Sequence, residues 1–164
     1  MKAWLGLGSN LQQPVSQLTE ALNRLGAIDG LEILRTSSFY STPPWGDDNQ
    51  DDFVNAVVLI ETSLDPLPLL RVTQSIENAM GRQRSGRRWG PRLIDIDLLL
   101  YGDQSCQFDE LEVPHPRMHE RAFVLMPLSE LDATLEIPGR GNTEKLLRQL
   151  DCSGICRLNE DDQV

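Results

Sequence analysis

Asp95 and Asp97 stand two apart inside the apolar run LIDIDLLLY at 93–101. A run of that kind reads as a strand, and strand side chains two apart leave the same face. Two carboxylates side by side on an apolar strand repel each other and lose solvation; a bound cation offsets both costs. Hard oxygen ligands in this number suit Mg²⁺, which takes one or two carboxylates and completes its shell with phosphate oxygens and water. The bland alternative is an exposed edge strand with two solvated acids. The apolar flank argues against it: Ile94, Ile96, Leu98 and Leu100 are expected to pack together on the opposite face.

Directly before that strand, RQRSGRRWGPR at 82–92 holds Arg82, Arg84, Arg87, Arg88 and Arg92 and no acid, in a chain of net charge −10. Arginine pairs bidentately with phosphate, and the glycines in the segment mark it as a loop. An acidic chain that gathers a third of its 15 basic residues in one place concentrates positive potential for a small polyanion such as a nucleoside triphosphate. A solvated basic loop is the competing reading. Trp89 within it either covers a ring or anchors the loop.

Phe53 and Asn55 repeat the two-residue spacing in FVNAVVLIET at 53–62. An aromatic that can stack beside an amide that donates and accepts describes a reader of heterocycles. The preceding Ser41, Thr42, Pro43, Pro44 and Trp45 offer backbone groups to the same ring, and Phe123 offers a second stacking face. His115, held between Pro114 and Pro116, is placed either beside a phosphate or structurally. His119 is expected at the surface. Gln74 and Glu77 lie three apart on one helix face and face either a nucleotide or water.

The elements that must position these groups follow from periodicity. Residues 2–8 alternate, with Ala3, Leu5 and Leu7 on one side and Trp4, Gly6 and Gly8 on the other, so a first strand is expected. Pro14 opens a helix closed by Gly26. LEILRTSSFY at 31–40 reads as a second strand, 41–52 as a loop and 53–62 as a third strand. Asp65-Pro66 opens a second helix ending at Gly81, and 93–101 is the fourth strand. A short helix begins near 117, with Pro127 ending or kinking it. Residues 143–150 form a last helix, and the tail NEDDQV is expected to fray. The order β-α-β-β-α-β predicts a ferredoxin-like α+β sandwich.

The 164 residues, 40% hydrophobic and 24% charged, suit one globular domain over 1–164. No run approaches the ~18 apolar residues of a membrane span. The start lacks a signal-peptide pattern, and Cys106, Cys152 and Cys156 read as ordinary thiols, so a cytoplasmic protein with no membrane partner is expected. The net charge of −10 speaks against a nucleic-acid partner, although a ferredoxin-like RNA-binding module remains the rival from another class. The absence of GxxxxGK[ST] excludes a P-loop kinase; another Mg-ATP-dependent small-molecule kinase would keep the metal site and change the acceptor.

GLGSN at 6–10, SSFYSTPPWG at 37–46, FVNAVV at 53–58, GRQRSGRRWGPRLIDIDLLLYG at 81–102 and VPHPRMHERAFVLMPL at 113–128 closely resemble the 6-hydroxymethyl-7,8-dihydropterin pyrophosphokinase family. The resemblance implies a three-layer α-β-α ferredoxin-like sandwich with a mostly antiparallel sheet and extra strands. It implies ATP and 6-hydroxymethyl-7,8-dihydropterin as partners, two Mg²⁺ ions held by Asp95 and Asp97, and action as a monomer. Arg82, Arg84, Arg88 and Arg92 would belong to a loop closing over ATP, with Arg82 and Arg92 catalytic and Trp89 sealing the site. His115 and Arg121 would hold phosphate oxygens, and Gln74 and Glu77 would line the nucleotide side. Thr42, Pro43, Pro44, Trp45, Phe53, Asn55, Asp95 and Phe123 would hold the pterin. The implied reaction is in-line attack of the hydroxymethyl oxygen on the β-phosphorus, with AMP leaving. Phe53 and Pro116 stand where some relatives carry tyrosine, and Glu110 and Glu112 where some carry basic or hydroxyl residues.

Overall fold

The alternation at the start of the chain is realised in β1 (Lys2–Ser9). It sends Ala3, Leu5 and Leu7 into one apolar cluster and Trp4 into a second on the opposite face of the sheet. Pro14 then starts α1 (Pro14–Gly26), whose buried Leu18, Ala21 and Leu25 form one helical stripe against the first cluster. The computed structural model describes residues 1–44, 48–81 and 93–163.

The segment expected as one strand at 31–40 is two: β2 (Leu31–Thr36) and β3 (Tyr40–Thr42). Ser37 explains the break. It is buried, its amide donates to the Val57 carbonyl at 2.9 Å, and its hydroxyl accepts from the Val57 amide at 2.9 Å. One side chain thus takes over a backbone position in the ladder. Both strands pair antiparallel with β4 (Phe53–Thr62). β4 is buried over most of its length because both of its faces are covered: Val54, Ala56, Val58 and Ile60 join the first cluster, Val57 and Leu59 the second.

Next come α2 (Pro66–Ala79) and β5 (Asp95–Tyr101). The main sheet runs β3-β4-β1-β5, all antiparallel, with α1 and α2 contributing to the first cluster. This is the ferredoxin-like arrangement. The expectation that Leu100 packs with Ile94, Ile96 and Leu98 is corrected. Leu5 pairs with Leu98 and Trp4 with Leu100, so Leu99 is an extra residue. A bulge of this kind shifts side-chain parity, and Leu99 and Leu100 both enter the second cluster, while Tyr101 returns to the first.

A small hairpin follows, β6 (Cys106–Gln107) with β7 (Glu112–Val113), and the Val113–Pro114 bond is cis. Then α3 (Ala122–Leu131) covers the second face. Pro127 does not end it. It lies inside the helix, where burial of Val124, Leu125, Leu128 and Leu131 offsets the lost amide bond. A second hairpin, β8 (Glu136–Ile137) with β9 (Gly141–Asn142), leads to α4 (Thr143–Leu147). Asn142 caps α4 by accepting from the amides of Glu144 and Lys145, and the helix is shorter than the 143–150 expected. β10 (Cys156–Arg157) joins the main sheet beside β3, and Glu160–Gln163 form a 3-10 turn where fraying was expected.

α3 is fastened to the sheet by Glu130. Its carboxylate accepts from the Tyr40 hydroxyl at 2.6 Å and from the Ser38 amide and hydroxyl at 2.9 Å each. Partial burial pushes the Glu130 carboxyl up, but the bonds from Tyr40 and Ser38 and the charge of Arg157 outweigh it and leave it below its ordinary 4.5. A depressed carboxyl stabilises the fold above its ordinary range and loses that contribution as pH falls through the folded value. Glu130→Gln is therefore expected to cost about 1 kcal/mol at neutral pH, because the site is partly solvated. The Tm gap to wild type should narrow as pH falls below the ordinary carboxylate range and Glu130 itself takes up a proton. A gap that stays constant across this range would remove the charge from the account.

Candidate active site

The centre of the site is a row with no side chain. β1 lies between β4 and β5, so Gly8 stands between Asn55 and Asp95, and Gly6 between Val57 and Asp97. Glycine at both positions leaves bare backbone between the acids of β5 and the amide of β4. A cavity of about 270 Å³ opens there, floored by Gly6 and Gly8 and lined by Asp95, Asp97, Leu99, Phe53 and Asn55 among others. Strand alternation keeps Asp95, Asp97 and Leu99 on this one face.

The amide of Asn55 is oriented by its partners. Its Nδ2 donates to Thr42 Oγ1 at 2.7 Å, which turns Oδ1 toward Gly8. A Cβ at Gly8 would sit 2.7 Å from that oxygen, closer than any carbon tolerates. Thr42 and Pro43, at the end of β3, complete this wall. Phe53 enters from β4, and Phe123 enters from the first turn of α3. Two aromatic rings and one fixed amide therefore share a cavity with two carboxylates.

The cationic side comes from the segment before α3. Arg121 is the residue that caps α3, and its side chain is only 11% exposed. Its Nη1 lies 4.0 Å from Asp97 Oδ2, and its guanidinium carbon lies 5.7 Å from the centre of the Phe123 ring, within cation–π range. His115 is held by two backbone bonds: its amide donates to the Leu99 carbonyl at 2.8 Å, and its Nδ1 accepts from the Arg117 amide at 3.2 Å. The proton therefore belongs on Nε2, which lies 3.9 Å from Asp97 Oδ2. Burial first, and then the neighbouring Arg121 charge, push His115 down to about 4. Near neutral pH it is an uncharged Nε2–H donor.

Thr42, Pro43, Phe53, Asn55, Asp95, Asp97, His115, Arg121 and Phe123 are thus brought to one cavity. Pro44, Gln74 and Glu77 are not among its lining. Glu77 is 3% exposed, and its Oε1 accepts from the Ile96 amide at 2.7 Å, tying α2 to the strand that carries both acids. Gln74 accepts from Arg71, which also pairs with Glu110. His119, expected at the surface, has a side chain only 18% exposed. Trp45, Arg82, Arg84, Arg87, Arg88, Trp89 and Arg92 lie outside the described residues. Gly6 and Gly8 are the site residues that motif reading passed over. Their signal was the strand alternation, which set them opposite the core-facing Ala3, Leu5 and Leu7.

The donor set fits Mg²⁺. Among the described residues no cluster of three or more His, Cys, Asp or Glu side chains is placed to hold a metal. Two carboxylates beside open cavity, with Asp97 still 37% exposed, leave several coordination positions for phosphate oxygens and water, as Mg²⁺ prefers. Among the described residues no helix is long and apolar enough to cross a membrane.

Comparison with known proteins converges on one activity. A family profile described as 7,8-dihydro-6-hydroxymethylpterin-pyrophosphokinase (HPPK) matches residues 4–133. A protein of Methylorubrum extorquens named 2-amino-4-hydroxy-6-hydroxymethyldihydropteridine pyrophosphokinase is 47% identical over 157 residues, 96% of this chain and 98% of the relative. Proteins of the same name from Haemophilus influenzae and Pseudomonas aeruginosa are 44% and 40% identical, each over 96% of this chain and over 98% and 96% of their own lengths. Among solved structures, a Plasmodium falciparum HPPK-DHPS with STZ-DHP superposes with a TM-score of 0.72 at 16% identity over 90% of this chain. This chain spans 45% of that one, and the likeness bears on the fold.

Proposed function

The chain belongs to the 7,8-dihydro-6-hydroxymethylpterin-pyrophosphokinase family, and on that premise we propose that the glycine-floored cavity is where its diphosphate transfer takes place. The enzyme transfers diphosphate from ATP to the hydroxymethyl group of the dihydropterin, a step of folate biosynthesis. The observation that carries the site assignment is the row Asp95–Gly8–Asn55, which sets an acid and a fixed amide on either side of bare backbone.

The pterin ring lies between Phe53 and Phe123, and Asn55 Oδ1 accepts from the donor edge of the heterocycle while Thr42 holds the amide in place. The backbone at Thr42, Pro43 and Pro44 bounds the same ring, and Trp45 is assigned to the pterin by the family resemblance. Asp95 and Asp97 would hold two Mg²⁺ ions, which neutralise charge on the triphosphate when bound. Arg121 and the Nε2–H of His115 donate to phosphate oxygens. Arg82, Arg84, Arg88, Arg92 and Trp89 are assigned to ATP by the family resemblance, with Arg82 and Arg92 in the catalytic role. Gln74 stays on the nucleotide side, and Glu77 acts by holding the β5 backbone at Ile96. With acceptor and donor fixed this way, the hydroxymethyl oxygen attacks the β-phosphorus in line and AMP leaves. Such chemistry draws on positioning and charge neutralisation more than on covalent help. The chain acts as a single monomeric domain in the cytoplasm.

The test is product analysis with ATP and Mg²⁺. AMP should form only when 6-hydroxymethyl-7,8-dihydropterin is present; ADP instead of AMP would move the protein to the ordinary kinases. Asn55→Ala should raise KM for the pterin by roughly tenfold or more, the cost of an unpaired buried edge, and leave ATP affinity unchanged. Equal loss of affinity for both substrates would place Asn55 outside the acceptor pocket.

A further inference from the structure

The C-terminal segment falls outside the profile match at 4–133, yet it is built against the acceptor side of the cavity. β3 has three residues, and its pairing with β4 leaves its other edge bare. β10 occupies that edge: Cys156 pairs with Ser41 and Arg157 with Tyr40, and the Leu158 amide donates to the Phe39 carbonyl at 2.8 Å. The chain reaches this position through a tight turn, in which the Ile155 amide donates to the Cys152 carbonyl at 3.2 Å. At its apex Gly154 has φ +79, and a Cβ there would lie 2.8 Å from Pro43 Cγ and 3.4 Å from Pro43 Cδ. The turn is therefore pressed against the ring of a residue that lines the cavity.

We propose that the segment Cys152–Leu158 is a positioning element of the acceptor pocket: its turn at Gly154 sets the place of Pro43, and β10 sets the place of Thr42. The inference rests on the reading of Thr42 and Pro43 as pterin contacts. Only glycine fits both demands at the apex, a left-handed backbone and a close approach. Neither neighbour yields easily. The Pro43 ring can change only its pucker, and the turn backbone leads directly into the pairing of β10 with β3. A methyl group at 154 must displace the wall of the pocket. Asp95, Asp97 and Arg121 belong to β5 and the start of α3, away from this contact, so the donor side is untouched.

Gly154→Ala in the full-length enzyme, assayed with Mg²⁺, should raise KM for the pterin roughly tenfold, the scale of a small misplacement at a reacting site. KM for ATP and kcat should hold. Should Gly154→Ala fold poorly, Gly154→Asn keeps the added Cβ while tolerating positive φ. In a Pro43→Ala background the glycine substitution should have no further effect on pterin KM, because the ring carbon it meets is gone. An unchanged pterin KM in both variants, or a parallel loss of both substrates with a fall in Tm, overturns the proposal. Asn55→Ala tells apart the two ways of failing. If it weakens pterin binding while both Gly154 variants do not, the segment is mere edge cover. If Asn55→Ala also has no effect, the pocket reading itself has failed.

Discussion

Asp97→Ala is expected to lower AMP formation at least ~10²-fold, the scale at which a charge-stabilising group is lost from an active site, while leaving Tm equal to wild type or above it. Asp97 shares a face with Asp95 and lies beside the glycine row rather than in the core. At 37% exposure its removal opens no cavity. It does relieve repulsion between two acids on one strand face, a cost carried for function rather than for folding. Arg121 and His115, at 4.0 and 3.9 Å from its carboxylate, would lose the anion they face. Since His115 is uncharged near neutral pH, the charge that faces this carboxylate is that of Arg121. The check is the initial rate of AMP release across a Mg²⁺ titration, alongside thermal melts. Near-normal turnover that still depends on Mg²⁺ would remove Asp97 from the metal site. A large fall in Tm would assign the loss to folding.

The placement of the candidate site residues was legible in the sequence wherever it followed a period of two. Asp95 with Asp97, and Phe53 with Asn55, needed only strand alternation to be placed on common faces, and both pairs line the cavity. Register between strands was not legible. Nothing local says that Gly8 pairs with Asn55 on one side and Asp95 on the other, so the two glycines read as one face of a first strand rather than as the floor of a pocket. The displaced face of Leu100 has the same origin, because the bulge at Leu99 is a property of the β1–β5 pairing. Ser37 split a strand by spending a hydroxyl on the Val57 amide, a long-range bond that propensity does not register. β6 to β10, without β5's length, have two residues each, too few to carry a periodic signal. Glu77 looked like a polar face residue at helical spacing, and its burial was set by an amide on another element.

Gly8→Val should abolish measurable pterin binding, a loss of at least ~10²-fold by misplacement at the reacting centre, without unfolding the protein. The first added carbon already lies 2.7 Å from Asn55 Oδ1, and the amide can yield only by breaking its 2.7 Å bond to Thr42. The two further methyl groups occupy cavity space between Asp95 and Asn55 where the acceptor ring is proposed to lie. The backbone itself is indifferent, since a β-branched residue suits the interior of a strand better than glycine does. Filling and folding therefore separate at this position. Gly6 provides the contrast on the same strand face: a Cβ there meets the Leu99 side chain at 3.4 Å, a tight approach that a leucine can relieve by a small shift, so Gly6→Ala should leave pterin affinity close to wild type. Calorimetric titration of pterin into each variant, with ATP affinity and Tm measured in parallel, decides between these outcomes. Retained pterin affinity in a folded Gly8→Val enzyme would mean that the acceptor ring does not rest over the glycine row, and the seat between Phe53 and Phe123 would have to be given up with it.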